Sequence, residues 1–502
     1  MKNDGPTLMG KDQPILFVPL DDRPCCLDLV LRLATLAGRE ILVPERSALG
    51  RFQQPGDPAA ILDWLAAQPS DLPLVASVDM LSWGGLIASR HPNSDETAAR
   101  ANFARFLEIQ DGRQAPTYAF KTLLRTAPTQ TSVEETEQAE QIVALSRMSY
   151  LKEKLRRTPG QQSHLDTAIA SLKDGISPAF LERYLRVRQR NHGFDRTVVE
   201  SASHFDALLV AMDDSQTEGW NLLEKENLQR LSDERRMEVD FYPGTDESAG
   251  LLLARMLCAR TGIEPVWSHS HLALTQTRYE DRPLGALLQS QLQAARLLQG
   301  RCRRKLFLYG RLGAQQEADR QAGQAKLEQA NFEQFLSDLE AALDDGDSCV
   351  VADLAFANGG DLGLVEALIE RGLAARLTGY SAWNTAGNTL GTALAMLALY
   401  PDHPTAEQEQ ARRVLLWERL TDDAFYQSWF RFRLKKEIGP GLNLAGEDLQ
   451  TAERLLEGEF HNFAAGLWGR LFPEEPPIPF RISLPWGRLF EVSIEPSTPN
   501  AA

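Results

Sequence analysis

The sequence predicts an α/β protein with predominantly parallel strands. Short apolar runs bounded by turn residues recur along the chain, segments with helical spacing alternate with them, and the connections are a few residues long. Two architectures satisfy this pattern. One has two α/β domains around a cleft, dividing near residue 240. The other is a TIM-like barrel with additions, using eight of about ten expected strands.

After a polar arm, residues 15–20 form the first expected strand, which runs into Asp21-Asp22-Arg23-Pro24. Residues 27–37 have helical spacing, with Gly38 as the C-terminal stop. A short strand at 40–43 and a helix at 58–67, with Pro near its start, follow. The strand at 73–78 ends at Asp79, the helix at 97–109 ends at Asp111-Gly112, and the strand at 117–124 ends near Arg125. Residues 130–195 are charged and helical in pattern, and break the rhythm. They read as an insertion: a lid over a site, a contact surface or a solvated hairpin. A helix at 194–204, strand 208–212, helix 222–236 and strand 239–242 complete an N-terminal domain over 14–240. In a second, doubly wound domain over 241–400, helices 248–260, 284–298, 328–343, 362–371 and 386–399 alternate with strands 265–268, 305–309, 349–354 and 375–379. Residues 405–495 form a mostly helical C-terminal region that ends in a β-hairpin, 480–494, around Pro485-Trp486-Gly487, and the tail 496–502 is expected to be disordered.

The chain has 502 residues, 43% of them apolar, enough for two or three domains or one large barrel. Its 53 basic and 69 acidic residues give a net charge of −16, which argues against nucleic acid and anionic membrane surfaces as partners. Five cysteines without metal spacing fit a reducing cytoplasm. The N-terminus lacks the apolar core of a signal peptide, and no apolar run is long enough to span a membrane. The oligomeric state is not legible.

Chemistry-bearing residues gather where strands end, which is where open α/β sheets and barrels bind ligands. The strongest stretch is Leu208–Asn221, LLVAMDDSQTEGWN, where a buried strand meets Asp213 and Asp214, with Glu218, Trp220 and Asn221 beyond. Asp214 or Ser215 as a helix cap is the plain alternative. Asp21, Asp22 and Arg23 follow the first strand; Asp79, Trp83, Gly84-Gly85 and Arg90 follow the third. Trp83 is either a stacking plate or a core residue. Asp246 lies in Tyr242–Glu247, where Thr245 as an N-cap is again a plain reading. Asp353 with Asn358-Gly359-Gly360, and Trp383 with Asn384 before a small-residue helix, complete the set. Aromatic plates beside Asp, Asn and Arg suit a small sugar-like ligand. Paired carboxylates suit glycoside cleavage, and desolvation of adjacent Asp213 and Asp214 is expected to raise one pKa into the range of a general acid.

A metal-dependent hydrolase is the rival, with the same aspartates as ligands of a divalent metal and His269 or His271 assisting. Cofactor fingerprints for phosphate or dinucleotide are absent. Cys25-Cys26 at a helix start is either a thiolate nucleophile or a pair of buried cysteines. The strings VPLDDRP, SVDMLSWGGLIASR, DDSQTEGWN, YPGTDE, VADLAFANGGD and WNTAGNTLGTALA together resemble the uncharacterised bacterial family DUF 4127, over roughly residues 14–490. The resemblance implies no activity and transfers no catalytic residue. The residues themselves lead to the expectation of a cytoplasmic, glycosidase-like hydrolase for a small amino-sugar or oligosaccharide, working without a cofactor. Asp213 and Asp214 are its acid/base pair, and Asp21, Asp22, Arg23, Asp79, Trp83, Arg90, Asn221, Asp246, Asp353, Asn358, Trp383 and Asn384 are its substrate contacts. A non-catalytic small-ligand binding protein is the further alternative.

Overall fold

A computed structural model describes residues 13–128, 133–154, 159–213, 216–323, 327–441 and 444–496. The N-terminal arm, residues 1–12, Asp214 and Ser215, and the tail beyond Pro496 lie outside the described residues.

Six strands form one sheet: β1 (Ile15–Val18), β2 (Ile41–Leu42), β3 (Leu74–Ser77), β4 (Thr117–Leu123), β5 (Ala207–Met212) and β6 (Asp240–Pro243). Their order is β2-β1-β3-β4-β5-β6, and every pairing is parallel. The next seven strands are β7 (Gly262–Trp267), β8 (Leu298–Gln299), β9 (Arg304–Tyr309), β10 (Gln316–Glu317), β11 (Ser348–Asp353), β12 (Phe356–Ala357) and β13 (Gly379–Ser381). Five of them make a second parallel sheet, β13-β11-β9-β7-β8, while β10 and β12 pair separately. In both sheets the first strand lies between the second and the third. This doubly wound order places a ligand crevice beyond the carboxyl ends of the strands. Both sheets are open, so the barrel alternative is set aside.

The apolar runs become strands because helices cover both faces of each sheet. β1, β3 and β5 are buried at every position, as two-sided parallel strands must be. Helices Asp28–Leu36, Ser248–Cys258 and Ala386–Leu399 pack between the two sheets. Ala386–Leu399 is buried along its whole length, and its Gly and Ala residues let neighbouring backbones approach closely. Gly38 takes a φ of +67° after the first helix, as a C-terminal stop requires.

Several elements differ from expectation. The strand into Asp79 stops at Ser77, whose hydroxyl accepts from Met80 N at 3.2 Å and starts a helix, Val78–Trp83. Asp79 is thereby turned inward instead of being carried out of the sheet. The insertion comprises three helices, Val133–Lys154, Pro159–Asp174 and Pro178–Glu200, and the third runs through the segment expected to start a new helix at 194. The strand expected at 375–379 begins only at Gly379, after a turn of 3₁₀ helix. The helix expected over 284–298 ends at Ala294, and β8 follows. The C-terminal region is helical, with a π-helical stretch at Leu420–Phe430. It closes with the antiparallel pair β14 (Phe480–Ser483) and β15 (Ser493–Pro496).

Candidate functional site

The carboxyl ends of β1, β5 and β6 supply a charged cluster. Arg23 is its centre. Its guanidinium holds Asp21 through Nε, at 3.0 Å to both carboxylate oxygens, and Asp246 through Nη2 at 2.7 Å. β1 and β6 are not neighbours in the sheet, but the helix after β6 crosses back under β3 and β4 and brings Asp246 to Arg23. Asp22 turns the other way and accepts from Trp486 Nε1 of the C-terminal hairpin at 2.8 Å. That indole also faces the Arg23 guanidinium, 5.3 Å from its ring centre.

Asp213 ends β5 in an ion pair with Arg90. Burial pushes its carboxyl up, but Arg90 and then Arg125 and Arg23 outweigh burial and hold it below the usual range. The raised pKa expected of one acid of the pair is thus not on Asp213, and Asp214 lies outside the described residues. Burial lifts Asp246 to about 6; Arg23 opposes this, and Asp21 and Asp213 add to it. The helix after β5 starts at Trp220 with Gly219 as its N-cap, and the Asp214 and Ser215 of the capping alternative lie outside the described residues.

Glu247 occupies the junction between the sheets. Its carboxylate accepts from Thr245 N at 3.0 Å and Asn388 Nδ2 at 2.7 Å. Thr245 is not a helix cap; the N-cap is Glu247 itself. Glu280 accepts from Gly387 N at 2.6 Å, so the start of helix Ala386–Leu399 already holds an acid of the chain. Burial raises both glutamates to about 8. Gly391 makes the junction possible: a Cβ there would lie 2.2 Å from Glu247 Cγ. Gly391→Ala is expected to destabilise the protein by about 1–3 kcal/mol in urea titrations. The penalty should shrink when Glu247→Ala is added, because the clash is with that side chain; an unchanged penalty would place the strain elsewhere.

Other expected contacts are structural. Asp79 is fully buried and pairs with Lys121 Nζ at 2.9 Å, which also meets Asp195 at 3.0 Å. Trp83 sits in the core against Phe194, under the Arg190 guanidinium at 4.7 Å, and offers no sugar face. Asn221 is buried and accepts from Thr126 Oγ1 at 3.0 Å, which fixes the helix after β5 to the end of β4. Glu218 pairs with Arg147 of the insertion, and Trp220 packs near Tyr184. Asp353 is enclosed by Tyr380 Oη at 2.8 Å and Asp361 N at 2.6 Å, and Asp361 is held in turn by Arg311. Asp79 and Asp353 thus do not converge with Asp21 and Asp213. Asn358 and Asn384 both adopt positive φ, +59° and +60°, and Asn358 N donates to Asn384 O at 2.8 Å. Trp383 packs on Phe490 and lines a narrow cavity with Asp246, Glu247, Asn388, Arg419 and Asp423.

The cluster suits a divalent cation poorly. Cys25 Sγ, Cys26 Sγ and an Asp246 oxygen lie within 4.8 Å of one another, but the Arg23 guanidinium is 3.4 Å from Cys26 Sγ and bonded to Asp246. Asp79 and Asp213 likewise carry protein cations. Burial pushes both thiols up, which suits buried cysteines and not a thiolate nucleophile.

Sequence reasoning missed Lys121, Asp195, Glu280, Arg419 and Asp423. Lys121 had a signal: a lysine inside an apolar central strand is buried and needs an acid.

No curated protein and no solved structure is significantly similar to the chain. A family model described as "Protein of unknown function (DUF4127)" matches residues 15–495, and the chain belongs to that family.

Proposed function

We propose that this chain is a hydrolase of the glycosidase type, acting in a bacterial cytoplasm on a small amino-sugar or oligosaccharide. One observation carries the reading: Asp213 and Asp246 follow adjacent strands β5 and β6, an ion pair with Arg90 favours the Asp213 anion, and burial raises the Asp246 carboxyl to about 6. Such a split is how two carboxylates divide acid and base work. Asp246 is the general acid, and Asp213 is the permanent anion that acts as base or stabiliser. Arg23, Asp21 and Trp383 border the same region and orient substrate. The compartment is supported by the five cysteines, all unpaired, with Cys25 and Cys26 Sγ atoms only 3.8 Å apart. No helix among the described residues is long and apolar enough to cross a membrane.

Turnover of an aryl-glycoside panel that includes amino-sugars tests the proposal. Asp246→Asn and Asp213→Asn are each expected to lower kcat by about 10²–10⁴-fold. kcat/KM should fall as pH rises through about 6, because Asp246 must carry its proton. Folded protein that turns over no member of the panel counts against the reading. A sugar bound but never converted would instead favour a binding protein.

A further inference from the structure

Buried arginines in this chain come with an acid. Arg23, Arg188, Arg255, Arg311, Arg412 and Arg419 are each buried, and each pairs with an Asp or Glu. Arg431 is the exception among the described residues. It is 4% exposed, opens helix Arg431–Ile438, and has no ion pair among the described residues. Its one hydrogen bond among them runs from Nη2 to Asn358 O at 3.3 Å, and its Nε is buried with no partner. Burial lowers the Arg431 pKa, and the acids nearby offset this only in part. Those acids are engaged elsewhere or exposed. Glu317 pairs with Arg278 at 3.1 Å and accepts from Asn358 Nδ2 at 2.7 Å, Asp422 pairs with Arg419 at 3.4 Å, and Asp319 is exposed. The Tyr426 hydroxyl donates to Leu489 O at 2.9 Å, and burial raises its pKa, so it stays neutral.

A second cation stands one turn along the same helix. Lys435 Nζ lies 5.2 Å from the centre of the Phe432 ring, and desolvation and then the Arg431 charge lower its pKa. The Arg431 guanidinium itself lies between two rings, 5.1 Å from Phe432 and 5.3 Å from Phe490. Such stacking offsets less than the cost of burying a lone ion. The position is firmly held. The π-helical stretch Leu420–Phe430 runs directly into Arg431, Ser428 Oγ donates to Gly360 O at 2.8 Å, and Gly360 N donates to Asp423 O at 3.0 Å. The Asn358-Gly359-Gly360 loop is thereby fixed to that stretch, and π-helical turns are frequent at functional sites. Asn358 follows β12, and its N–H donates to Asn384, which follows β13. Arg431 thus meets the loops at the carboxyl ends of strands, where doubly wound sheets take ligands. Phe490 also packs on Trp383, 5.8 Å between ring centres, and so joins Arg431 to the narrow cavity beside Asp246 and Glu247.

We infer that Arg431 and Lys435 form a binding site for an oxyanion, a carboxylate or a phosphate carried by a ligand, at the carboxyl ends of β12 and β13. A lone buried guanidinium costs stability, and an anion at its free N–H groups removes that cost. Both kinds of oxyanion accept charge-assisted bonds from a guanidinium. The site does not depend on the hydrolase reading.

Thermal unfolding of the whole chain in rising sodium phosphate or sodium acetate, with ionic strength held constant by sodium chloride, tests the inference. At least one of the two anions is expected to raise the melting temperature with a saturating dependence. The anion that does so identifies phosphate or carboxylate. Arg431→Met removes the charge and keeps an aliphatic stem. Without either anion it is expected to melt no lower than wild type, because no ion pair is lost, and its apparent anion affinity should fall about tenfold or more. Lys435→Gln, at an exposed position, should leave the melting temperature without anion unchanged and weaken the apparent affinity about threefold. No response in wild type, or a response that Arg431→Met shares in full as a general salt effect, would overturn the inference. Should Arg431→Met fail to fold, Lys435→Gln decides: a weakened response supports the site, and an unchanged one overturns it.

Discussion

Lys121→Met is expected to destabilise the protein by about 3–5 kcal/mol, because it leaves two buried carboxylates without their cation. The ammonium lies between Asp79 and Asp195, and all three side chains are almost fully buried. Methionine nearly matches the aliphatic stem, so lost packing contributes little. Burial already raises Asp195 to about 6, with Lys121 as the main opposing influence. Urea denaturation at pH 7 measures the effect. The triple variant Lys121→Met, Asp79→Asn, Asp195→Asn should recover most of the loss, since it removes the uncompensated charge. A triple variant no better than Lys121→Met would assign the loss to packing. The position ties three elements together, because Asp79 belongs to the helix after β3, Lys121 to β4 and Asp195 to the third insertion helix. In Lys121→Met that helix loses its tie to the sheet.

How much of this was legible follows from what each signal measures. Apolar runs at β1, β5 and β9 report burial on two faces, and burial is local enough to read from a string. SVDMLSW misleads because its apolar residues continue past the strand; the Ser77 cap, which starts a helix, resembles any serine in a loop. The insertion was recognised as a helical departure, but its charge pointed to a solvated face. Asp195 and Arg188 are in fact buried and paired with Lys121 of β4 and Glu224 of the helix after β5. For the site, the strand ends were the right place to look, because parallel order forces their loops to one side. Which ends meet was not legible. Arg23 and Asp246 are 223 residues apart in the chain, and their contact depends on a helix crossing back beneath the sheet. Asp79 and Asp353 look equivalent to Asp246 as strand-end acids and differ only in partners that no local pattern names.

Stability is expected to fall as pH rises from about 5 to about 8, and Glu247→Gln should flatten that fall. Glu247 and Glu280 are buried acids whose pKa is raised from 4.5 to about 8, each adding to the other's shift or lying beside a further acid. Below pH 4.5 both carboxyls are protonated whether the chain is folded or not, so they create no pH dependence. Between about 4.5 and about 8 the unfolded chain releases these protons and the folded chain keeps them, so rising pH favours unfolding. Above about 8 the loss is complete. Each group contributes a slope of up to about 1.4 kcal/mol per pH unit. Asp246 at about 6 and Asp353 at about 7 act in the same direction. Glu409, lowered to about 2, gains its stability below pH 4.5 and cannot mask the decline. Glu247→Gln keeps the shape and removes the proton exchange. Its carboxamide oxygen can keep the bond from Asn388 Nδ2. Urea midpoints from pH 5 to 8 should therefore decline less steeply in Glu247→Gln than in wild type, by up to about 1.4 kcal/mol per unit. Parallel curves would mean that Glu247 is ionised in the folded state. The junction between Ser248–Cys258 and Ala386–Leu399 would then carry a buried charge beside Asp246, which would raise the Asp246 pKa and move the acid limb of catalysis upward.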